Sequence, residues 1–290
     1  MTHSLSEWAM QLALFWRPAL TGALLAATLA LLGLYLRLRR EYWAALAYGQ
    51  VGAAGALGAL ALGAPPLVGG ITLSLAIAGL KHRPEKHLPP AGLFPLLFVL
   101  GWGLGLLLTA NLPGVERLGQ ALFEGQLYFA GPQMLAGAAL ALVATVAFLR
   151  WQGRHLLLAN LNPEHFRALK LSVWPVRSGF DILTAAVLAL AVMSLGVMGA
   201  FALVFIPAWL IFAFAPGWRA ALIIAPLAAL LAYVLAFALA LVYDQPFGPV
   251  LVLMLGALAG IAPVLAKLTS NQKSAPRCQT AARFSMYETP

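Results

Sequence analysis

The run Ile182–Ala215 reads ILTAAVLALAVMSLGVMGAFALVFIPAWLIFAFA. It holds 34 residues and no ionisable side chain. As one straight helix it would be about 51 Å long at ~1.5 Å per residue. A bilayer core is only about 30 Å thick and is crossed by ~20 residues. The run is therefore expected to fold into two short spans, with the break near Gly196 and Gly199.

Outward from this run, further apolar stretches lie at about Leu12–Leu36, Trp43–Gly63, Pro66–Leu80, Ala91–Ala110, Gln133–Leu149, Arg219–Val242 and Gly248–Ala266. With the long run counted twice, eight or nine spans are expected, Pro66–Leu80 being the shortest. Composition agrees. Of 290 residues, 62% are hydrophobic and 9% charged, and mean hydropathy is +0.89. A soluble domain carries about a quarter charged residues, so most of this surface cannot face water. An ordinary soluble enzyme, a nucleic-acid-binding domain and a disordered chain are excluded together. The fold class expected is all-α, a polytopic transmembrane helical bundle surrounded by lipid.

Basic residues cluster between spans, which sets orientation. With the N-terminus outside and the C-terminus inside, the inner segments hold 16 of the 18 Lys and Arg, and only Arg17 and Arg117 fall outside. No Lys or Arg precedes Arg17, so the N-terminus does not read as a cleavable signal peptide. Trp16, Trp43, Trp102, Trp151, Trp174 and Trp218 fall near span ends, where aromatic anchors sit. Small residues are dense in GAAGALGALALGA (52–64), GWGLG (101–105) and GALAGIA (256–262), and are expected to let helices pack closely. The lone Cys278 excludes an intrachain disulfide.

No catalytic, cofactor or metal site is expected. No lysine follows a glycine, so the sequence has no phosphate loop, and H-E-x-x-H, C-x-x-C and G-x-S-x-G are absent. The span interiors lack the ionisable groups of a proton relay, and Asp181 and Asp244 sit at span ends. Between the fifth and sixth spans, Gly153–Gly179 is the longest inner loop. Within it, Asn162 suits a helix N-cap and Pro163 the first helical position. Glu164 complements the positive helix end, Arg167 and Lys170 the negative one, and Phe166 and Leu169 share a face. Spacing alone leaves two readings open: a helix that docks on a partner or the membrane surface, and one that fills space between spans.

Three segments together carry a family resemblance. Gly196 followed by Val197-Met198-Gly199-Ala200-Phe201-Ala202-Leu203-Val204-Phe205-Ile206-Pro207-Ala208 resembles the G-x-L-L-x-x-A-L-L-x-I-P-A stretch of the zinc/manganese ABC-type permease family. Asp244-Gln245-Pro246-Phe247-Gly248 resembles that family's D-x-P-x-G turn. The segment Asn162–Leu171 resembles its coupling-helix loop, and Arg39-Arg40 match its paired basic residues. The order holds over about Thr21–Ala266.

The resemblance implies a type II ABC importer-like architecture. Residues 1–266 would form the permease domain, with a coupling helix at about 160–172, and 267–290 a polar basic cytoplasmic tail. A homodimer in the bacterial cytoplasmic (inner) membrane would work with ABC ATPase subunits and a periplasmic metal-binding protein. The cargo would be a divalent metal, zinc first, with manganese or iron as further candidates. Asn162, Glu164, Phe166 and Leu169 would couple to the ATPase, and Gln50, Gly199 and Pro207 would line the transport pathway. Pro207 is expected to break its apolar run, with a packing kink as the other reading, and Gln50 has an interhelical hydrogen bond as its other reading. One departure stands out. The family's second span carries Asp and, four residues on, His; here those positions are Leu46 and Gln50. An amide oxygen alone suits a divalent ion poorly. The ion is then expected to cross hydrated or in a neutral complex. The alternatives are a permease of the same architecture for a metal chelate or other small solute and, ranked last, a non-transport membrane assembly factor.

Overall fold

The computed structural model of the chain describes residues 5–81, 90–125, 131–161, 174–214 and 217–270, with backbone alone for 5–14, 90–91, 123–124, 213–214 and 262–270. Among these residues every regular element is a helix. This follows from the medium, since a segment in hydrocarbon must satisfy its own N–H and C=O groups. The order is α1 (Leu5–Arg39), α2 (Tyr42–Ala61), α3 (Pro66–Leu80), α4 (Pro90–Asn111), α5 (Glu116–Glu124), α6 (Pro132–Leu161), α7 (Trp174–Phe214), α8 (Trp218–Tyr243) and α9 (Phe247–Ser270). Six of them, α1, α2, α4, α6, α7 and α8, are long and apolar enough to cross a membrane; α3 and α9 supply shorter apolar stretches.

The decisive element is α7, which would extend about 60 Å if straight. It does not. Gly196 leaves helical geometry at φ 78°, ψ 166°. Near one end of α7, Phe180 stacks under Arg39, its ring centroid 5.0 Å from the guanidinium carbon; near the other, Phe212 lies 5.1 Å from that of Arg37. Two residues so far apart in sequence both reach the last turn of α1 only because the chain folds back at Gly196. The two halves, 174–195 and 197–214, are each close to the ~20 residues of one crossing. The expected break thus falls at Gly196, while Gly199 is helical and packs on Leu251 at 3.5 Å from where a Cβ would stand.

Short-side-chain positions set the other approaches. α2 packs between α3, α4 and α7. Gly55 and Gly69 bring the α2 and α3 backbones into contact, Gly101 of α4 lies against the Gln50–Val51 backbone, and Gly33 of α1 lies under the Val204 carbonyl. Gly22 leaves room for the ring of Tyr233, whose hydroxyl donates to the Ala19 carbonyl at 3.0 Å. Ser74 of α3 sits where its hydroxyl reaches the Ala185 carbonyl (2.9 Å) or the Tyr48 carbonyl (3.1 Å), tying three helices. In lipid such close packing and buried hydrogen bonds hold helices together.

Several expectations are corrected. Pro207 sits inside a continuous helix and breaks nothing; membrane helices absorb a missing N–H through neighbouring groups. The span expected to stop at Leu149 continues as α6 to Leu161, because hydropathy marks lipid depth and not the end of a hydrogen-bonded helix. Asn160 is therefore in the last turn of α6, where its amide donates to the Leu38 carbonyl at 2.7 Å. The small residues of the last span do not all pack inward: nothing lies within 4 Å of a Cβ built on Gly256 or Gly260. Of the six tryptophans, five are exposed, but Trp218 is half-buried, edge-on to Tyr35 at 5.0 Å. Asn162, Glu164, Phe166 and Leu169, expected from the sequence to couple to an ATPase, lie outside the described residues.

Two turns explain the sequence motifs that flank them. Arg40 (φ 54°) and Asp244 (φ 51°) both adopt the left-handed conformation after a helix. In each case the next N–H, of Glu41 or Gln245, reaches back to Leu36 or Ala240 at 3.0 Å, capping free carbonyls in a Schellman arrangement. Pro246 follows, where a helix cannot continue and a new one can begin.

Gly196→Ala and Gly33→Ala should each lower stability. At Gly196 the backbone is in a region open essentially to glycine, and a Cβ would lie 2.7 Å from the Gly125 nitrogen. At Gly33 it would strike the Val204 carbonyl. Losses of about 1–3 kcal/mol are expected for such overpacking, against a change within about 0.5 kcal/mol for Gly58→Ala, whose Cβ meets open space. Thermal unfolding of the detergent-solubilised protein checks this ranking.

Candidate transport pathway and a buried charge cluster

At the end of the bundle where α1 and α3 finish and α2 and α7 begin, four charges meet. The Arg39 guanidinium contacts Asp181 at 3.1 Å and Glu41 at 2.8 Å. Lys81 Nζ contacts the same two carboxylates, each at 2.9 Å. Asp181 is 1% exposed and Arg39 4%. Each cation bridges both anions, so the set is neutral. That neutrality is what permits burial, since an unpaired charge would cost several kcal/mol. The Phe180 and Phe94 rings supply cation–π contacts, 5.0 Å from Arg39 and 6.0 Å from Lys81. Glu41 reaches the cluster because Arg40 turns the chain. The paired arginines thus split: Arg39 points in, and Arg40 makes the turn. The sequence placed Asp181 at a span end and no more. The readable signal was four charges at the ends of four apolar runs that the topology brings to one face.

Above the cluster, α2 carries Leu46 and Gln50. Leu46 is half-buried on the wall of a cavity of about 370 Å³. Arg37 of α1 and Tyr42 and Trp43 of α2 line this open groove with Leu46; Phe205, Ile206 and Trp209 of α7 and Ala259 of α9 form its other side. Gln50, one turn further along, is 2% exposed, and its Nε2 has no hydrogen-bond partner among the described residues. A Cβ on neighbouring Gly49 would lie 2.7 Å from the Phe201 ring, so α2 and the second half of α7 are in direct contact here. Gly199 and Pro207 are both buried on that half of α7. The structure therefore brings Leu46 beside the α7 stretch and encloses Gln50 within the protomer. No group of three His, Cys, Asp or Glu stands together among the described residues.

The helices of the described residues, most of them apolar and packed around one that doubles back, define a multi-pass membrane protein. The chain belongs to the ABC 3 transport family, whose match covers residues 11–265. Among solved structures it is similar to PsaBC from Streptococcus pneumoniae, determined in complex with a Fab, at TM-score 0.77 and 15% identity over 89% of this chain and 95% of that one. It is also similar to an ABC transporter described as of metal-chelate type, in an inward-facing conformation, at TM-score 0.70 and 18% identity, over 90% and 91% of the two chains. At these identities the likeness is one of fold.

The charge cluster yields a double-variant prediction. Asp181→Leu leaves Arg39 and Lys81 buried with one carboxylate between them and should cost about 3–5 kcal/mol. Adding Lys81→Met restores neutrality around the Arg39–Glu41 pair and should recover part of that loss. Thermal unfolding across the four-variant cycle reads the coupling; additive losses would refute a shared cluster.

Proposed function

We propose that the chain is the membrane subunit of a binding-protein-dependent ABC importer of metal in the bacterial inner membrane. The family match over residues 11–265 carries this reading. Two copies would form the permease. The face of α9 with Gly256 and Gly260 four residues apart, where a Cβ would meet nothing within 4 Å among the described residues, supports a close helix contact with a second copy. The N-terminus would lie outside and the C-terminus inside, because the end of the bundle holding Arg37, Arg39 and Lys81 is the basic one. ATP hydrolysis falls to a separate ATPase, docked on the segment carrying Asn162, Glu164, Phe166 and Leu169. That segment leads directly into α7, whose second turn holds Asp181 in the charge cluster, so a push on it would reach α1, α2 and α3. A periplasmic binding protein would deliver the cargo.

Zinc is the first candidate metal, with manganese and iron after it. A second reading, metal carried in a complex, is favoured by the wall around Leu46, which offers aromatic rings and a cation where a bare ion needs anionic oxygen or imidazole. In both readings the path runs past α2 and the second half of α7, near Gln50, Gly199 and Pro207.

Proteoliposomes holding the chain, a cognate ATPase and a cognate binding protein should take up radiolabelled metal only with ATP. Phe166→Ala should cut uptake several-fold with the complex still assembled. Failure to take up zinc, manganese or iron in any form would overturn the reading. Gln50→Leu separates two roles: removal of a buried amide whose Nε2 has no partner among the described residues should leave stability unchanged or raised, so lower uptake from an equally stable complex marks a pathway residue, whereas lower stability marks an interhelical tie.

A further inference from the structure

We propose that α3 is a switching strut: Lys81 and Ser74 each face one acceptor on the α2 side and one on α7, and during transport α3 stays with α7 and lets go of α2. This rests on the importer reading and goes further by naming the element that moves.

Lys81 and Ser74 lie seven residues apart at the α3 end, two helical turns, and so share a face. Lys81 Nζ is 2.9 Å from Glu41, the residue before α2, and 2.9 Å from Asp181 of α7. The Ser74 hydroxyl is 3.1 Å from the Tyr48 carbonyl of α2 and 2.9 Å from the Ala185 carbonyl of α7. The acceptors keep the same register: Glu41 and Tyr48 are seven residues apart, Asp181 and Ala185 four apart. A hydroxyl has one proton to give, so Ser74 serves one carbonyl at a time. Two levels of one helix thus present the same choice of neighbour.

The choice leaves no lone charge. If Lys81 leaves Glu41, Glu41 keeps Arg39 at 2.8 Å and Lys81 keeps Asp181, so every member of the buried set still has a partner. The Tyr48 carbonyl, once released, keeps the hydrogen bond of its own helix. Two differences make α7 the neighbour that is retained. The Glu41 side chain is 25% exposed and that of Asp181 1%. Water can therefore replace Lys81 at Glu41, whereas the dry surroundings of Asp181 strengthen its ion pair. The shorter Ser74 contact is also the one to α7. A pivot is present as well. Gly55 and Gly69 bring the α2 and α3 backbones together on the far side of Ser74 from Lys81, so the charged end of α2 can swing while that contact holds. Leu46 and Gln50 lie between pivot and charged end, so the swing would move the α2 stretch placed along the path.

Electron–electron double resonance on the complete transporter in nanodiscs tests the choice. On a Cys278→Ser background, spin labels go on Gly79→Cys of α3 with either Trp43→Cys of α2 or Trp174→Cys of α7, all three sites being exposed. Labelled copies are diluted with unlabelled ones, so that distances within one copy are read. Between the nucleotide-free and vanadate-trapped states, the 43–79 distance should shift by about 5 Å and the 79–174 distance by less than about 2 Å. A larger shift in 79–174, or none in 43–79 in an assembly that turns over ATP, overturns the proposal. A lock reads the function. In Glu41→Cys/Lys81→Cys the Arg39–Asp181 pair remains, so the buried set stays neutral. Bridging the two thiols with dibromobimane, whose fluorescence reports the completed bridge, should cut ATP-driven uptake at least about tenfold relative to the same variant before reaction. Undiminished uptake with the bridge complete would sink this inference and leave the importer reading standing; no metal uptake in any form by the unsubstituted assembly would sink the reading itself.

Discussion

The fold depends on one backbone constraint, the reversal at Gly196. Lipid demands that the long apolar segment be helical throughout, yet a straight helix of 41 residues cannot be accommodated in one crossing. The residue that reconciles these demands must leave helical geometry in a way L side chains resist, at φ 78° and ψ 166°. Gly125, itself at φ 90°, seats against the Leu195 carbonyl, 2.6 Å from where its own Cβ would stand. Two glycines without Cβ atoms let the end of α5, at Leu122 and Gly125, press directly on the turn. Once α7 reverses, its two ends return to the last turn of α1, and the remaining helices assemble around that frame.

The reversal has an electrostatic consequence. It places the start of α7 where Asp181 can accept both Arg39 and Lys81. Four charges from four segments become one neutral, buried unit. In gross terms this unit adds little stability, because desolvation offsets most of the attraction. Its value is geometric: a carboxylate held by two cations from different helices fixes where the first turns of α7 sit. Phe94 packs against both Lys81 and Tyr48, the latter edge-on at 6.0 Å. The cluster is thereby continuous with the buried face of α2.

Much of this was legible in the sequence because the governing rules are one-dimensional. Apolar run length gave the helices, an overlong run gave the reversal, and Asp244-Gln245-Pro246 gave a turn that the structure forms with Asp244 in the left-handed conformation. What was not legible is three-dimensional. Pro207 carries a local preference for breaking helices, but neighbours in the bundle override it. Gly101 and Gly256 are alike in sequence context, yet one touches α2 and the other faces open space, a difference set by which side of a helix meets the core. Likewise nothing near Asp181 in the sequence names Lys81, a hundred residues earlier, as its partner. Of the candidate pathway residues, burial of Gln50 could not be read from spacing, because α2 has almost no amphipathic asymmetry with which to orient it.

Burial of Gln50 also bears on how cargo could pass. Gln50 is 2% exposed, the α2 backbone at Gln50 and Val51 lies against Gly101 of α4, and neighbouring Gly49 meets the Phe201 ring of α7. A hydrated ion brings a shell of water that cannot enter there without separating α2 from α4 or α7. Leu46, a turn closer to the charge cluster, stands instead at an opening formed by rings and one guanidinium. The wall that Leu46 shares with α7 is apolar where it is accessible. A bare divalent ion would gain nothing at that wall, since dehydration must be offset by donors that are not there.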